Sequence, residues 1–480
     1  MLYQFKVVAL GFAILSASLV NVAVPALALE AGFSDQDITP DTSAKKPVWL
    51  AGYGMGRRAT GVHDPLRARI AVLREGDQTF AFVGVDLIGL QFDEVQRIRA
   101  KLPEISYVMV SSTHNHEGPD VIGIWGRGPF SRGVDDNYID MVISRVTQGV
   151  KEALAGMQPV TAHFGTAEDA SLLNDSRQPY VKDGVLRLLK FQSIATATQP
   201  AKNLGIIVQW NCHPEALGSR NTLVTADFVA TTVNEMAKDH SCPIVYLSGA
   251  VGGLLAPPRG DRIKAADGTV LKEGDYAYSE AYGKEVAQLA TKAVQNTQPI
   301  SLAPFSVASQ EVYLPVKNVL YRAARVAGVL KRQAYVWTGD PTKRGEPITM
   351  EMVEVPSSVP TEVACIKMGD LYLACLPGEL YPELVYGQFQ SPQDKNADFQ
   401  GVELEPSIDG LLKNKKWMFI GLANDEVGYI IPKSQWDVEP PYAYGREDRQ
   451  YGEINSCGPE AAPILMQTLA RQVQKLHEKP

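Results

Sequence analysis

Cysteine and histidine are scarce in this sequence, with five of the first and seven of the second in 480 residues. The cysteines are Cys212, Cys242, Cys365, Cys375 and Cys457. They form no CxxC pair and fit no zinc-ribbon spacing, which argues against a cysteine-held metal module. Their odd number rules out complete pairing within the chain. Four lie in or beside apolar runs, the usual setting of buried free thiols, and one bridge through Cys457 stays open. Basic residues are in deficit as well. The net charge is −8, so the basic footprint of a nucleic-acid partner is missing. No internal repeat and no low-complexity tract occurs. No Gly-x-Ser-x-Gly is present, since Leu247-Ser248-Gly249 lacks the preceding glycine, which argues against a serine-nucleophile elbow. Beyond the N-terminus no run is long and apolar enough to cross a bilayer.

The N-terminus itself reads as an export signal. Lys6 precedes an apolar run from Val7 to Val20, and Ala26-Leu27-Ala28 supplies an A-x-A cleavage pattern. Cleavage is expected after Ala28, leaving a mature chain of residues 29–480 with a charge of about −9 and a periplasmic or secreted location. An uncleaved anchor is the alternative; the run is short for a span and Pro25 sits near its end. Length alone suggests about three domains, but large α/β enzymes often fold as one. Hydrophobic content of 45% and charged content of 21% are those of a folded soluble protein.

The pattern predicts mixed strands and helices, hence an α/β or α+β domain. Ala68–Leu73 and Thr79–Leu87 predict a hairpin around Glu75-Gly76-Asp77, and Val363–Met368 with Leu371–Leu376 another around Gly369-Asp370. Tyr107–Ser111, Val160–Phe164, Leu204–Trp210, Ile244–Leu247 and Trp417–Leu422 read as further strand-like runs. Phe92–Leu102, Asn137–Leu154, Ala226–Lys238, Glu280–Ala293 and Glu460–His477 read as helices. Val316–Arg332, with Lys317, Arg322, Arg325, Lys331 and Arg332, is a basic amphipathic candidate. It can lie on a membrane surface or act as a lid; the plainer expectation is a surface helix with its Val and Leu side packed inward.

Three histidines stand at strand ends, where open sheets collect binding residues. His114 and His116 lie in Thr113-His114-Asn115-His116-Glu117-Gly118-Pro119, directly after Tyr107-Val108-Met109-Val110. In extended backbone an H-x-H pair directs both rings to one side. Both can then approach one metal, or one can be a ligand and the other a supporting or acid/base group. His213 follows the buried run Leu204–Trp210 in the same way, and a third imidazole strengthens the case for a metal. Pro377-Gly378-Glu379 and Asn424-Asp425-Glu426 close two more strand-like runs with carboxylates. Spacing does not choose among Glu379, Glu383, Asp425 and Glu426, and Tyr429 by itself reads as a core aromatic. His63, His163, His240 and His477 read as structural or surface histidines.

Together these segments resemble the N-terminal catalytic domain of the neutral/alkaline ceramidase family. The matching pieces are Asp37-Ile38-Thr39-Pro40, Gly52-Tyr53-Gly54, Gly61 to Arg69, Thr113 to Pro119, His213-Pro214, Pro377-Gly378-Glu379 and Asn424 to Ile430, in order over nearly the whole mature chain. The resemblance implies a large single catalytic domain of mixed sheets flanked by helices, here without the immunoglobulin-like domain that follows it in full-length ceramidases. It implies one Zn2+ held by His114, His213, Glu379 and Tyr429. His116 becomes an acid/base or supporting residue, and Arg177, in Asn174-Asp175-Ser176-Arg177, matches the family's active-site arginine. The implied reaction is hydrolysis of a lipid N-acyl amide, N-acylsphingosine to fatty acid and sphingosine. There is one departure inside the domain. The family's Gly-Asp-Val-Ser-Pro motif falls on Gly249-Ala250-Val251-Gly252-Gly253, so the serine position is Gly252. That turn can still offer backbone N–H groups to an anion. Three readings follow: a ceramidase-like zinc amidase, a zinc hydrolase of the same fold with another amide or ester substrate, and a non-catalytic envelope protein that keeps the metal. The last is disfavoured, because buried polar groups are costly to hold together without a cation.

Overall fold

A computed structural model describes residues 29–349 and 354–478, so the expected signal peptide lies outside the described residues. Arg67–Glu75 and Gln78–Val85 form the expected hairpin, with Glu75 opposite Gln78. Gly76 turns the chain at φ +57, a conformation open to glycine without steric cost. Nearly every residue of the two strands is buried, because both faces of their sheet are covered.

That hairpin belongs to the larger of two main sheets. Its order is Ile244–Ser248, Asn203–Trp210, Val185–Ser193, Gln158–Glu168, Glu30–Asp37, Arg67–Glu75, Gln78–Val85 and Tyr107–Ser112. Pairing is antiparallel through the middle and parallel at both edges. The second sheet runs Phe305–Pro315, Ser357–Met368, Leu371–Cys375 and Lys416–Ile420, and also ends in a parallel pair. The strands of Val185–Ser193 and Phe305–Pro315 were not expected from the sequence.

The two sheets face each other. Phe80, Phe82, Met109, Ile207 and Leu247 of the first pack with Ile366, Leu373, Met418 and Ile420 of the second. Helices cover the outer faces. Asp136–Ala155 starts where the Asp135 side chain accepts from Asn137 N, and buries Ile139, Val142, Val146 and Val150 against Ile70 and Val72. Phe228–His240 and Tyr276–Gln295 cover the rest of the first sheet, and Ala461–Glu478 covers the second. The result is a mixed α/β fold in four layers, with open sheets. Among the described residues no helix is long and apolar enough to cross a membrane. All five cysteines are buried and unpaired, so the bridge left open for Cys457 does not form.

The expected helix over Val316–Arg332 is a correction. Only Val319–Val326 is helical, opened by the Asn318 side chain, which accepts from Leu320 N and Tyr321 N. Gly328 at φ +68 follows its end, and Arg332 turns inward to pair with Asp425. The helix does not pack its Val and Leu side inward: Val319, Leu320 and Val326 are exposed.

Candidate metal centre

Each implied ligand follows a strand of a parallel pair, His114 and His213 within three residues of its end and Glu379 and Tyr429 farther on. After Tyr107–Ser112 the chain keeps contact with its neighbour through Thr113 N to Val85 O at 2.9 Å and Asn115 N to Leu87 O at 3.1 Å. Between them His114 takes φ +65. This left-handed conformation costs a non-glycine residue roughly 1–2 kcal/mol. The two imidazoles therefore converge through a left-handed residue, not through the extended H-x-H backbone expected from the sequence. His116 packs over Gly52, where a Cβ would lie 2.4 Å from His116 Cγ and where φ is +92. Glycine is required there on both counts.

His213 follows Asn203–Trp210, and its amide donates to Leu255 O at 2.8 Å. Glu379 and Tyr429 lie on the chain that follows two strands of the second sheet. Leu376 N bonds Ile420 O and Val427 N bonds Pro377 O, so the loops after two paired strands stay zipped together. They end in a short parallel ladder that sets Glu379 directly opposite Tyr429. The rings of Tyr381 and Tyr451 stand edge-on to Tyr429, each with centroids 6.0 Å away.

The geometry around Glu379 is the centre of the site. Its Oε2 lies 2.9 Å from His213 Nε2 and 3.3 Å from His114 Nε2. Both rings turn their other nitrogen to a backbone carbonyl, His114 Nδ1 to Ile88 O at 2.7 Å and His213 Nδ1 to Leu255 O at 2.9 Å. That second contact fixes ring orientation and aims Nε2 at the site, as in metal-ligating histidines. Two N/O ligands on one tetrahedral zinc are separated by about 3.4 Å, given bond lengths near 2.1 Å. The His114–Glu379 separation already has this value, and His213–Glu379 needs to open by a few tenths of an ångström. The two imidazoles and the carboxylate fit zinc.

His116 is equally near. One nitrogen from each of His114, His116 and His213 lies within 4.8 Å of the others. Neither nitrogen of His116 has a hydrogen-bond partner, and Nδ1 is 3.7 Å from Glu215 Oε2. Distance alone leaves His116 within reach of a metal; its ring lacks the backbone anchor that the other two have. Glu215 stands two residues after His213, where no sequence pattern marks it as a site residue.

Electrostatics follow from burial and these contacts. Burial opposes a charge on His114, but the Glu379 carboxylate lifts its pKa to about 9. Burial would raise Glu379; the charge and hydrogen bonds of His114 and His213 hold it well below the usual carboxylate range. His116 is pushed far down by burial and by the other two imidazoles. Tyr429 is pushed well above a normal phenol by burial and by Glu379.

The centre opens on a largely apolar cavity. His114, His116, Glu379 and Tyr429 line it together with the apolar Ile88, Ile122, Ile124, Trp125, Val316, Tyr321, Leu330 and Val359. Glu426 also lines it. One Glu426 oxygen accepts from Gly428 N at 2.6 Å; the other is buried without a partner, and burial with the Glu379 charge lifts the carboxyl to about 8. Of the other carboxylates in the same run of candidates, Asp425 is spent on Arg332 and on Phe92 N. Glu383 is buried and does not line the cavity.

Arg177 stands apart from the reacting space. It is buried, and its two terminal nitrogens bond Glu453 at 2.7 and 2.9 Å, Tyr451 O at 2.9 Å and Gln435 O at 3.0 Å. It does not line the cavity, but it holds the backbone of Tyr451, which does. The Gly249–Gly253 turn offers less than expected. Gly249 N bonds Trp210 O, Ala250 N bonds Asn211 Oδ1 and Gly252 N bonds Leu380 O, so these donors are used inside the fold. The remaining histidines are elsewhere: His63 pairs with Asp64 at 2.8 Å and stacks on Tyr276.

Among the solved structures that share this architecture are two ceramidases. One is a neutral ceramidase from Pseudomonas aeruginosa, with a TM-score of 0.68 and 16% identity over 94% of this chain and 75% of that one. The fold is that of the neutral ceramidases. The other, a ceramidase complexed with C2, gives a TM-score of 0.66 and 16% identity over 94% of this chain and 76% of its own. No protein-family model matches the sequence, and no curated protein matches it. Within the ceramidase fold, this chain brings His114, His116, Glu379 and Tyr429 to one apolar cavity, with His213 behind Glu379.

Proposed function

We propose that the protein is a zinc-dependent hydrolase of an acyl amide, with an amphiphilic substrate of the N-acyl lipid class. The observation that carries this reading is Glu379 Oε2 held between two backbone-anchored imidazoles in the lining of an apolar cavity. His114, His213, Glu379 and Tyr429 would hold the ion. When bound, zinc supplies a Lewis acid and lowers the pKa of a coordinated water to about 7. The chain supplies the rest. His116, uncharged and without an anchoring partner, is placed to relay a proton to the leaving nitrogen; the burial and neighbouring imidazoles that lower its pKa make it a weak base and a strong donor once protonated. The Ile88, Ile122, Trp125 and Leu330 walls bind an apolar chain and exclude water from the reacting carbonyl. Arg177 acts through Glu453 and the Tyr451 backbone, as a positioning residue.

A second reading keeps the metal and changes the substrate. A Cβ at Gly252 would lie 2.5 Å from the Leu380 backbone, so the serine implied by the ceramidase resemblance has no room there. This favours a different amide or ester over ceramide itself. The test is a hydrolysis screen of N-acylsphingosines, other N-acyl lipids and simple acyl esters, with and without chelator, beside a zinc assay. About one zinc per chain and chelator-sensitive turnover are expected. Ceramide turnover selects the first reading, and turnover of another acyl substrate selects the second. A zinc-free, fully active protein refutes both. Inactivity on every substrate indicates a binding protein.

A further inference from the structure

The Val319–Val326 helix is inside out. At 100° per residue, Val319, Leu320, Ala323, Val326 and the capping Ala327 share one arc of about 120°, and every one of them is exposed. Val319 is 72%, Leu320 52% and Val326 63% exposed. The opposite arc, Tyr321, Arg322 and Arg325, faces the protein, and Tyr321 and Arg325 line the apolar cavity. A surface helix normally does the reverse. Phe130, 85% exposed, lies in the 123–133 loop, whose neck packs against Val329 just past the helix.

Charge is arranged to match. From Lys317 to Gly339 the chain holds Lys317, Arg322, Arg325, Lys331 and Arg332 and no acidic residue, on a protein of net charge −8. Arg332 is taken by Asp425, and the exposed cations are Lys317, 3.7 Å from Glu460, and Lys331, which flank the helix in sequence, with exposed Arg127 in the loop of Phe130. Aliphatic side chains bracketed by lysines are suited to the boundary between anionic headgroups and acyl chains. A second copy of the chain is a poorer partner. An eight-residue helix is only about 12 Å long, too short for the roughly 800 Å² per partner of a stable dimer.

We propose that this helix and Phe130 dock the protein on an anionic lipid bilayer, with the catalytic cavity directly beneath the docking face. Delivery of substrate from the bilayer rests on the amphiphilic-substrate reading above; the docking does not.

The test is co-sedimentation of the whole exported protein with phosphatidylcholine vesicles, with and without phosphatidylglycerol. Wild type and variant share whatever N-terminus export leaves, so their difference isolates the helix. Leu320→Asp/Val326→Asp is expected to bind phosphatidylglycerol vesicles at least about tenfold more weakly, with its melting temperature and its turnover of a soluble short-chain substrate unchanged. As a gain of signal, Val326→Cys can be labelled selectively because all five native cysteines are buried. An environment-sensitive fluorophore there is expected to shift to the blue on these vesicles. Equal binding by wild type and variant, or no blue shift, overturns the proposal. So does a wild-type dimer that the double variant converts to monomer. Vesicle binding without hydrolysis of any substrate leaves the docking face standing and refutes the functional reading instead.

Discussion

Glu379→Gln probes the proposed centre at the point where both sheets meet. The amide keeps the size of the carboxylate and loses its charge, so the 2.9 and 3.3 Å contacts to His213 and His114 can persist in shape while the anionic ligand is gone. A four-ligand structural zinc site has an apparent binding free energy of about 10–16 kcal/mol near neutral pH. An equal quarter share is about 3 kcal/mol, and about 1.4 kcal/mol is a factor of ten. The variant is therefore expected to bind zinc about 100-fold more weakly or worse, and to lose hydrolysis in proportion at limiting zinc. The assay is competition for zinc against a chromogenic chelator, with circular dichroism to confirm that the variant is folded. A folded variant with zinc affinity within a few-fold of wild type would falsify the assignment of Glu379 as a ligand.

Two further substitutions address residues outside the ligand set. Gly52→Ala places a methyl group 2.4 Å from His116 Cγ at a φ of +92; turnover should drop by about tenfold or more while bound zinc stays near one per chain, and loss of zinc in step with activity would contradict a proton-transfer role for His116. Glu383 is lifted from 4.5 to about 8, chiefly by burial, with Asp175 adding to the rise and Gln435 and Arg177 opposing it. The folded protein keeps that proton while the unfolded chain releases it, so stability is present below pH 4.5 and is lost as pH rises to about 8, at up to about 1.4 kcal/mol per pH unit. Glu383→Gln lacks this slope, and its melting temperature should gain on wild type steadily from pH 5 to pH 8; parallel curves would show that burial does not perturb the group.

The residues that the sequence exposed most clearly were those whose local pattern carries the signal. The Arg67–Val85 hairpin was legible because a glycine turn separates two β-rich runs, and the Asp136–Ala155 helix because its apolar residues recur at helical spacing. Val185–Ser193 was not, since both faces are covered and Arg187 is buried beside Asp183, which erases alternation. Register between distant strands carries no local signal at all. Glu379 and Tyr429 are 50 residues apart, and only the parallel ladder between them shows that they are neighbours. The same limit hid the difference between Asp425, taken by Arg332, and Glu426, which faces the cavity. The basic stretch over 316–332 misled because composition does not say which face of a helix is covered. His114 misled because a positive φ in a histidine leaves no trace in a strand-like context.

The four proposed ligands divide evenly, His114 and His213 following strands of the first sheet and Glu379 and Tyr429 following strands of the second. An ion held by all four would therefore tie the two halves of the sandwich together at one end. A ligand that binds only the folded form stabilises it by RT ln(1 + [L]/Kd), about 2.7 kcal/mol at one hundred times Kd. Dialysis against chelator should thus lower the melting temperature, and added zinc should restore it in a concentration-dependent way. In the Glu379→Gln variant the same titration should be displaced to about 100-fold higher zinc. A melting temperature indifferent to zinc across that range would mean that the two sheets are joined by their apolar interface alone, and that the imidazole and carboxylate contacts at 2.9 and 3.3 Å are a metal-independent buried ion pair.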